Sequence, residues 1–392
     1  MKIVRKLRHA IAGNADALAA AAAAVSGRPV AEKLVSEVLP LAEACRWLER
    51  RAAHVLAPRR CGSTARPLWL WGSSFEVQRQ PFGTVLVIGP GNYPLFLPGV
   101  HTLHALAAGN SVLLKPAPAT RDVALAFAEL AHGAGLEREL LTVLPDSVEA
   151  ARDAIQRGVD KVVFTGSSVN GRAVLAELAL SNTPAVMELS GVDPVLVLED
   201  ADLDLAARAV RFGTAINAGE TCIAPRRLLV ATRIAGALLA RLASYGVPPF
   251  GMEPVQSEEE AVALANAGEF GLGASIFSRD VARARALAAR LRCGFVLIND
   301  VIVPTADPRM PFGGMRASGF GTTRGDEGLL EMTIPHVVAV RRGNSRPHFD
   351  APGANDGRLF SSYIRVAHGR GRARFGALRE LCRAALCKTS NT

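Results

Sequence analysis

From residue 84 onward, short apolar runs rich in β-branched residues alternate with stretches of helical period, and this alternation constrains the fold more than any other feature. The runs TVLVIGP (84–90), SVLLK (111–115), ELLTVL (139–144) and KVVFTG (161–166) are separated by a helical stretch to about 108 and by helices expected at 121–132 and 148–157. Strands that are apolar throughout are buried on both faces, so the pattern predicts a parallel, doubly wound sheet. Ligands on such sheets sit beyond the carboxyl ends of the strands. A second series follows: PVLVL (194–198), a helix near 203–218, RRLLVA (226–231), a helix at 257–267, GASIF (273–277), a helix at 280–291 and GFVLIN (294–299). Ahead of both, residues 2–25 have the spacing of an amphipathic helix, the text to about 65 is helical, and 66–80 has the look of an extended ribbon. Residues 304–325, rich in Gly and Pro, are expected to form an ordered surface loop.

A chain of 392 residues that is 49% hydrophobic and 21% charged supports two or three domains and excludes a disordered chain, a collagen and a coiled coil. The net charge of +9 is uneven, because residues 341–392 hold ten Arg and Lys388 against Asp350, Asp356 and Glu380, or 11 − 3 = +8. The remaining 340 residues carry about +1 by the same tally, so no nucleic-acid-binding body is expected. The tail itself would suit phosphate or an anionic membrane surface, although a solvated extension is the preferred reading. No apolar run reaches the ~18 residues of a membrane span. Asn14 and Asp16 interrupt what would have to be the apolar core of an export signal. The six cysteines (Cys45, Cys61, Cys222, Cys293, Cys382 and Cys387) show neither disulfide-framework nor zinc-ligand spacing, which suggests a reducing, cytoplasmic setting and no metal.

Chemistry concentrates in a few loops. GPGN (89–92) follows a strand but lacks the third glycine of the dinucleotide fingerprint. FTGSSVNG (164–171) ends a strand and opens a helix, leaving N–H groups and a hydroxyl for a pyrophosphate; an ordinary turn capped by Ser167 reads equally well. Cys222 stands in NAGETCIAPRR between Gly219 and Pro225, unlike a cysteine on a regular apolar face, and is the candidate nucleophile. Glu188, in VMELSG, is a carboxylate at a strand end, where burial without a task or a partner is uncommon.

Taken in order, these residues give the chain a resemblance to the aldehyde dehydrogenase superfamily over roughly residues 66–330. Pro90-Gly91-Asn92-Tyr93-Pro94, AAGNSVLLKP, the Phe-Thr-Gly-Ser turn, the Glu-Leu-x-Gly stretch, the loop bearing Cys222 and the Pro-Phe-Gly-Gly segment at 311–314 follow the family's sequence of motifs. The resemblance implies an α/β protein: a doubly wound cofactor domain (1–187, ribbon near 68–80), a shortened catalytic α/β domain (188–330), an oligomerisation strand (331–345) and a basic tail (346–392). It implies NAD(P)-dependent oxidation of an aldehyde to a carboxylate by a homodimer or higher homo-oligomer. Cys222 would form the thiohemiacetal and thioester, with Asn92 and the Cys222 N–H as oxyanion donors and Glu188 as activator of water. NAD or NADP would be held by Lys115 at the ribose, by Ser167, Gly166 and Gly171 at the pyrophosphate, and by Phe312 and Pro90.

Departures from the family pattern point to a second possibility, a catalytically weakened paralogue acting as an assembly subunit or binding module. Only 250 − 222 = 28 positions separate Cys222 from Phe250-Gly251, less than half the family interval, so a hydrophobic face behind the cysteine loop is expected to be exposed or covered by something else. Pro248-Pro249 replace the glutamate that holds the nicotinamide ribose, with Glu253 nearby as a substitute. Pro118 stands where NAD-preferring members have an acid, which admits NADP and brings in Arg121 as an attractor. Gly91 replaces an aromatic residue and Glu220 a glutamine, and Glu220 is expected to raise the Cys222 pKa.

Overall fold

The computed structural model describes residues 1–248, 250–344 and 346–389. By internal packing the chain divides into two units, residues 1–60 with 76–338, and residues 61–75 with 339–392.

In the larger unit the first sheet has the spatial order Gly319–Phe320, Ala185–Glu188, Lys161–Thr165, Thr84–Ile88, Ser111–Lys115, Leu141–Val143. All its pairings are parallel except that of Gly319–Phe320, which runs antiparallel to Ala185–Glu188. The two-residue period of a strand divides its side chains between two cores. Val85 and Val87 join Val112, Leu114, Val163 and Val186 under helices Phe96–Ala107 and Arg121–Gly133 and the N-terminal helices. Leu86 and Ile88 join Val162, Phe164 and Met187 under helices Val148–Arg157 and Ser168–Ala179. The second sheet is wholly parallel, in the order Met252–Val255, Pro225–Ala231, Asp193–Val197, Gly273–Phe277, Phe295–Ile298.

Several elements differ from expectation. Residues 2–25 form two helices, Lys2–Gly13 and Ala15–Ser26, with the break at Asn14. Leu68–Leu70 is a 3-10 turn, and the ribbon strand begins only at Ser73 and runs to Pro81, in one sheet with Thr333–Arg341. Helix Thr232–Ser244 and strand Met252–Val255 were not anticipated. The strand contains Pro254, which an edge strand tolerates because its outer N–H positions need no partner. The helix buries Leu238 and Leu242 against Val195, Val210 and Val230. It therefore packs onto the second sheet.

In the smaller unit, helices Asp356–His368 and Ala373–Thr389 pack against each other.

Candidate active site

The first sheet reverses its winding between Thr84–Ile88 and Lys161–Thr165: successive strands step one way through Ser111–Lys115 to Leu141–Val143, and the other way to Ala185–Glu188. A crevice opens where chain connections diverge, beyond the carboxyl ends of those two strands. A cavity of about 910 Å³ lies there, lined by Pro90, Asn92, Lys115, Gly166, Ser167, Glu188, Cys222 and Phe312 among others. Of the residues singled out from sequence, Gly171 is missing from the lining. It is buried in helix Ser168–Ala179, where a Cβ would come within 2.5 Å of Leu189 Cδ2, so its lack of a side chain serves close helix-to-strand packing.

Glu188 closes strand Ala185–Glu188 in register with Gly319. Gly319 has φ +102, and a Cβ there would lie 1.9 Å from the Met187 carbonyl oxygen, so the antiparallel neighbour of Glu188 begins with an obligatory glycine. The buried Glu188 carboxylate accepts from Thr165 Oγ1 at 3.2 Å and from Thr323 Oγ1, with His101 Nε2 3.7 Å away. Burial pushes its pKa up, but the charge and hydrogen bond of His101, then Arg324 and Thr323, more than offset this and hold it below the usual carboxylate range. Arg324 is buried with φ +60, its guanidinium 4.2 Å from the Phe312 ring centroid. One of its nitrogens donates to the Thr305 carbonyl, and its Nε has no partner among the described residues.

The loop bearing Cys222 follows helix Leu203–Ala215 through three left-handed residues, Asn217 (φ +51), Ala218 (φ +54) and Gly219 (φ +75). It is tied to the 92–93 segment at three points. Asn92 Nδ2 donates to Glu220 O at 2.8 Å, Asn217 Nδ2 donates to Asn92 O at 2.9 Å, and Tyr93 OH and Thr221 Oγ1 share a hydrogen bond of 2.6 Å. Cys222 is half-buried, and its thiol is pushed up to about 12, by loss of water first and then by Glu188 and Asp193, against the pull of Arg324. Glu220 is exposed and is not a source of this rise, contrary to expectation.

The N-terminal helices reach the same loop. Lys33 and Glu37 are fully buried 3.2 Å apart, Lys33 Nζ donates to Asn217 Oδ1 at 2.9 Å, and Glu37 Oε2 accepts from Leu95 N and Phe96 N. A buried pair broken on one side leaves an uncompensated charge. Lys33→Met is therefore expected to cost roughly 3–5 kcal/mol of stability, measured by denaturant unfolding; a loss within experimental error would mean that Glu37 is neutral in the folded protein.

The cavity suits a dinucleotide. Its volume lies in the range of small-molecule sites, and Lys115 on its wall is buried without an ion pair to any described residue. Burial lowers the Lys115 pKa, with Asp146 and Glu149 opposing. Ser167 caps the following helix, accepting from Asn170 N at 3.2 Å, so its ordinary turn role and its place on the cavity wall coexist. Other expectations are corrected. Arg121 does not line the cavity, whereas Arg152 does, paired with Glu177 at 3.4 Å. Glu253 is held by Arg227, at 2.9 Å, away from the cavity. Phe250 packs against the core of the second sheet; Pro249 lies outside the described residues, as does the Cys387 side chain. Among the described residues no group of three or more His, Cys, Asp or Glu is placed to hold a metal ion.

Sequence reasoning missed His101, Arg324, Thr323, Lys33, Glu37 and Asn217. Only the Lys33/Glu37 pair carried a signal, two opposite charges one helical turn apart in an otherwise apolar stretch.

Comparison with known proteins adds three findings. The family profile described as "Aldehyde dehydrogenase family" matches residues 1–246 and 248–338. The chain is 28% identical over 405 residues to the 4,4'-diapolycopene aldehyde oxidase of Methylomonas sp, covering 86% of this chain and 76% of that one. It is 32% identical over 350 residues to a vanillin dehydrogenase of Pseudomonas sp. (strain HR199 / DSM 7063), covering 69% and 72%. The crystal structure of an NAD-dependent aldehyde dehydrogenase from Sinorhizobium meliloti superimposes with a TM-score of 0.83 at 26% identity, over 89% of this chain and 83% of that one.

Proposed function

The chain belongs to the aldehyde dehydrogenase family, as an oxidoreductase that acts on aldehydes with NAD or NADP, and from that premise we propose how its own residues carry out the reaction and on what kind of aldehyde. One observation carries the reading. A second cavity, of about 620 Å³, shares Leu97, Thr221, Cys222 and Phe312 with the first, so the cysteine stands where a dinucleotide-sized space meets a second space.

Lys115, Ser167, Gly166, Pro90 and Phe312 would hold the dinucleotide, which supplies the acceptor for the hydride. Cys222 Sγ adds to the aldehyde carbon, and the thiohemiacetal then becomes a thioester on the same sulfur. A thiol near 12 is protonated at rest, so its proton leaves as the C–S bond forms, and the carboxylate on the shared cavity wall, Glu188, is the acceptor. The Asn92 amide, through the hydrogen it does not give to Glu220 O, and the Cys222 N–H would donate to the oxygen that becomes anionic; Glu188 releases the thiol proton to solvent and then takes a proton from the water that hydrolyses the thioester, the sulfur leaving and regaining its proton.

The second cavity is walled by Val35, Leu39, Phe212, Ile216, Ile302 and Val303, with Glu43 and Asp307 as carboxylates at its edge. An aldehyde with an apolar aromatic or aliphatic body suits these walls; the charged groups on the lining are Glu43, Asp307 and the buried Arg324. Vanillin and a diapolycopene aldehyde, named for two relatives, are of the favoured kind. The test is formation of reduced nicotinamide across a panel of aldehydes. Turnover of apolar aldehydes above carboxylated ones is expected, and binding of NAD or NADP without turnover of any aldehyde would return the chain to the weakened-paralogue reading.

Asn92→Ala is expected to lower kcat on the order of 10²-fold with little change in cofactor affinity. Steady-state kinetics with cofactor titration checks this, and an unchanged kcat removes Asn92 from the oxyanion site.

We retain as proposals the division at 187/188 and 330/331, and a homodimer formed through residues 68–80 and 334–341. Ile334, Val337, Val338 and Val340 stand exposed on that strand; light scattering would decide, a monomer at micromolar concentration counting against pairing.

A further inference from the structure

Residues 61–75 and 339–392 form a compact unit of their own, and its surface combines two features that water alone does not favour. The first is apolar. Helices Asp356–His368 and Ala373–Thr389 pack together, with Ser362 and Ala377 as buried positions and Glu380 bound to Arg365 at 3.4 Å. Away from these, Phe360 and Ile364, one turn apart, are each 58% exposed, and Phe375, one turn before the exposed Leu378, is 74% exposed. Phe349, just ahead of the hairpin, is also exposed.

The second feature is charge. Arg358, Arg370, Arg372, Arg379 and Arg383 are all exposed, and none has a carboxylate partner among the described residues. The segment 341–392 carries +8, and the acids of the hairpin are Asp356, which accepts from Gly353 N, and Glu380, already bound.

An apolar protein partner would leave those guanidinium groups unneutralised. A nucleic acid would neutralise them but give Phe360, Ile364, Phe375 and Leu378 nothing to enter. A second copy of the same unit would set +8 against +8. The headgroup boundary of an anionic bilayer satisfies both features at once, because apolar side chains enter the acyl region while arginines reach the phosphates. Among the described residues no helix is long and apolar enough to cross a membrane. We propose that the unit of residues 61–75 and 339–392 docks this protein onto an anionic lipid surface, with the face of Phe360, Ile364, Phe375 and Leu378 inserted and the flanking arginines on lipid phosphates. The proposal does not depend on which aldehyde is oxidised.

The test is flotation of the full chain with vesicles of phosphatidylcholine containing phosphatidylglycerol, against vesicles of phosphatidylcholine alone. Binding is expected only to the former, weakened by salt. Phe360→Ser with Phe375→Ser should weaken partitioning roughly tenfold per phenylalanine. Arg379→Glu with Arg383→Glu should weaken it at least about fivefold per arginine. Unchanged oxidation of a water-dissolved aldehyde by these variants shows that they are folded. The proposal is overturned if the wild type does not float with the anionic vesicles, or if the serine variant floats as well as the wild type, which would mean adhesion by charge alone. It is also overturned if the serine substitutions change the mass by light scattering, which would assign the face to a second copy.

Discussion

Replacing Cys222 by alanine is expected to lower kcat/KM for aldehyde oxidation by about 10⁴-fold or more, with cofactor affinity unchanged within about threefold. The size follows from removing the only atom that can hold the substrate covalently, since in covalent catalysis the lost nucleophile takes both half-reactions with it. Cofactor affinity is expected to survive because Lys115 ends strand Ser111–Lys115 and Ser167 caps helix Ser168–Ala179, both outside the loop that bears Cys222. The accompanying pH behaviour is specific to this chain. With the thiol pushed up to about 12 by burial, Glu188 and Asp193, the thiolate fraction at neutral pH is minute and grows about tenfold per pH unit. Alkylation of Cys222 by iodoacetamide, followed by peptide mapping, should rise with that slope from pH 7 to pH 10 (about one log unit per pH unit). Undiminished turnover of the alanine variant would end the covalent mechanism; alkylation that is already at plateau near neutrality would show that the empty cavity stabilises the thiolate.

The second large effect belongs to Glu188. Glu188→Gln is expected to cut steady-state turnover by about 10³-fold, because glutamine keeps the shape and one acceptor oxygen for the Thr165 and Thr323 hydroxyls, turns the other contact into a donor, and cannot accept a proton. Rapid mixing locates the affected step. A retained burst of reduced nicotinamide places Glu188 at thioester hydrolysis, a lost burst places it at the Cys222 proton, and unchanged turnover excludes it from both. Its folded pKa lies below the ordinary value because His101 and Arg324 outweigh burial. The base is therefore ionised across neutral pH, and the acid limb of kcat should lie below the usual carboxylate range. Arg324→Met removes one of the cations that hold the carboxyl down, so in that variant the limb should move up.

After the short interval that follows Cys222, helix Thr232–Ser244 packs on the second sheet, while Val35, Leu39, Phe212 and Val303 beside Cys222 remain exposed. Leu238 and Leu242 pack onto the second sheet, so the shortening leaves a continuous core under the strand that follows the cysteine loop. The lost ribose glutamate is not replaced in the same way: Glu253 is engaged by Arg227. Nicotinamide-end affinity accordingly rests on other residues of the cavity wall.

Legibility differed by residue. Val85 to Ile88 and Ala274 to Phe277 were readable as strands because a strand buried on both faces needs an unbroken apolar run. Glu188 and Cys222 were readable as candidates, a carboxylate at a strand end and a cysteine between turn-forming Gly219 and Pro225, whereas Asn92 came only from the family resemblance. Gly171 was misread, since a glycine required by close packing and one required by a ligand look the same in sequence. His101 gave no signal, as it stands in an apolar helix where a satisfied core histidine is the ordinary expectation. Arg324 gave none either, because its importance lies in a buried position beside Phe312 and Glu188.

What the amino-acid order determined by itself was local and periodic: the alternation of strand and helix, the parallel sheets, the reactive side chains at strand ends, and the concentration of positive charge beyond residue 340. What only the tertiary structure decided was which distant groups share one space and in what charge state. The reversal of winding beside Ile88, the ties between Asn92, Asn217 and Glu220, and the cations around Glu188 join residues more than 70 positions apart. Such proximities leave no periodic trace in the chain. They arise because closing the fold excludes water, and in that drier interior each charge acts on its neighbours with a strength that the unfolded chain, bathed in solvent, does not possess.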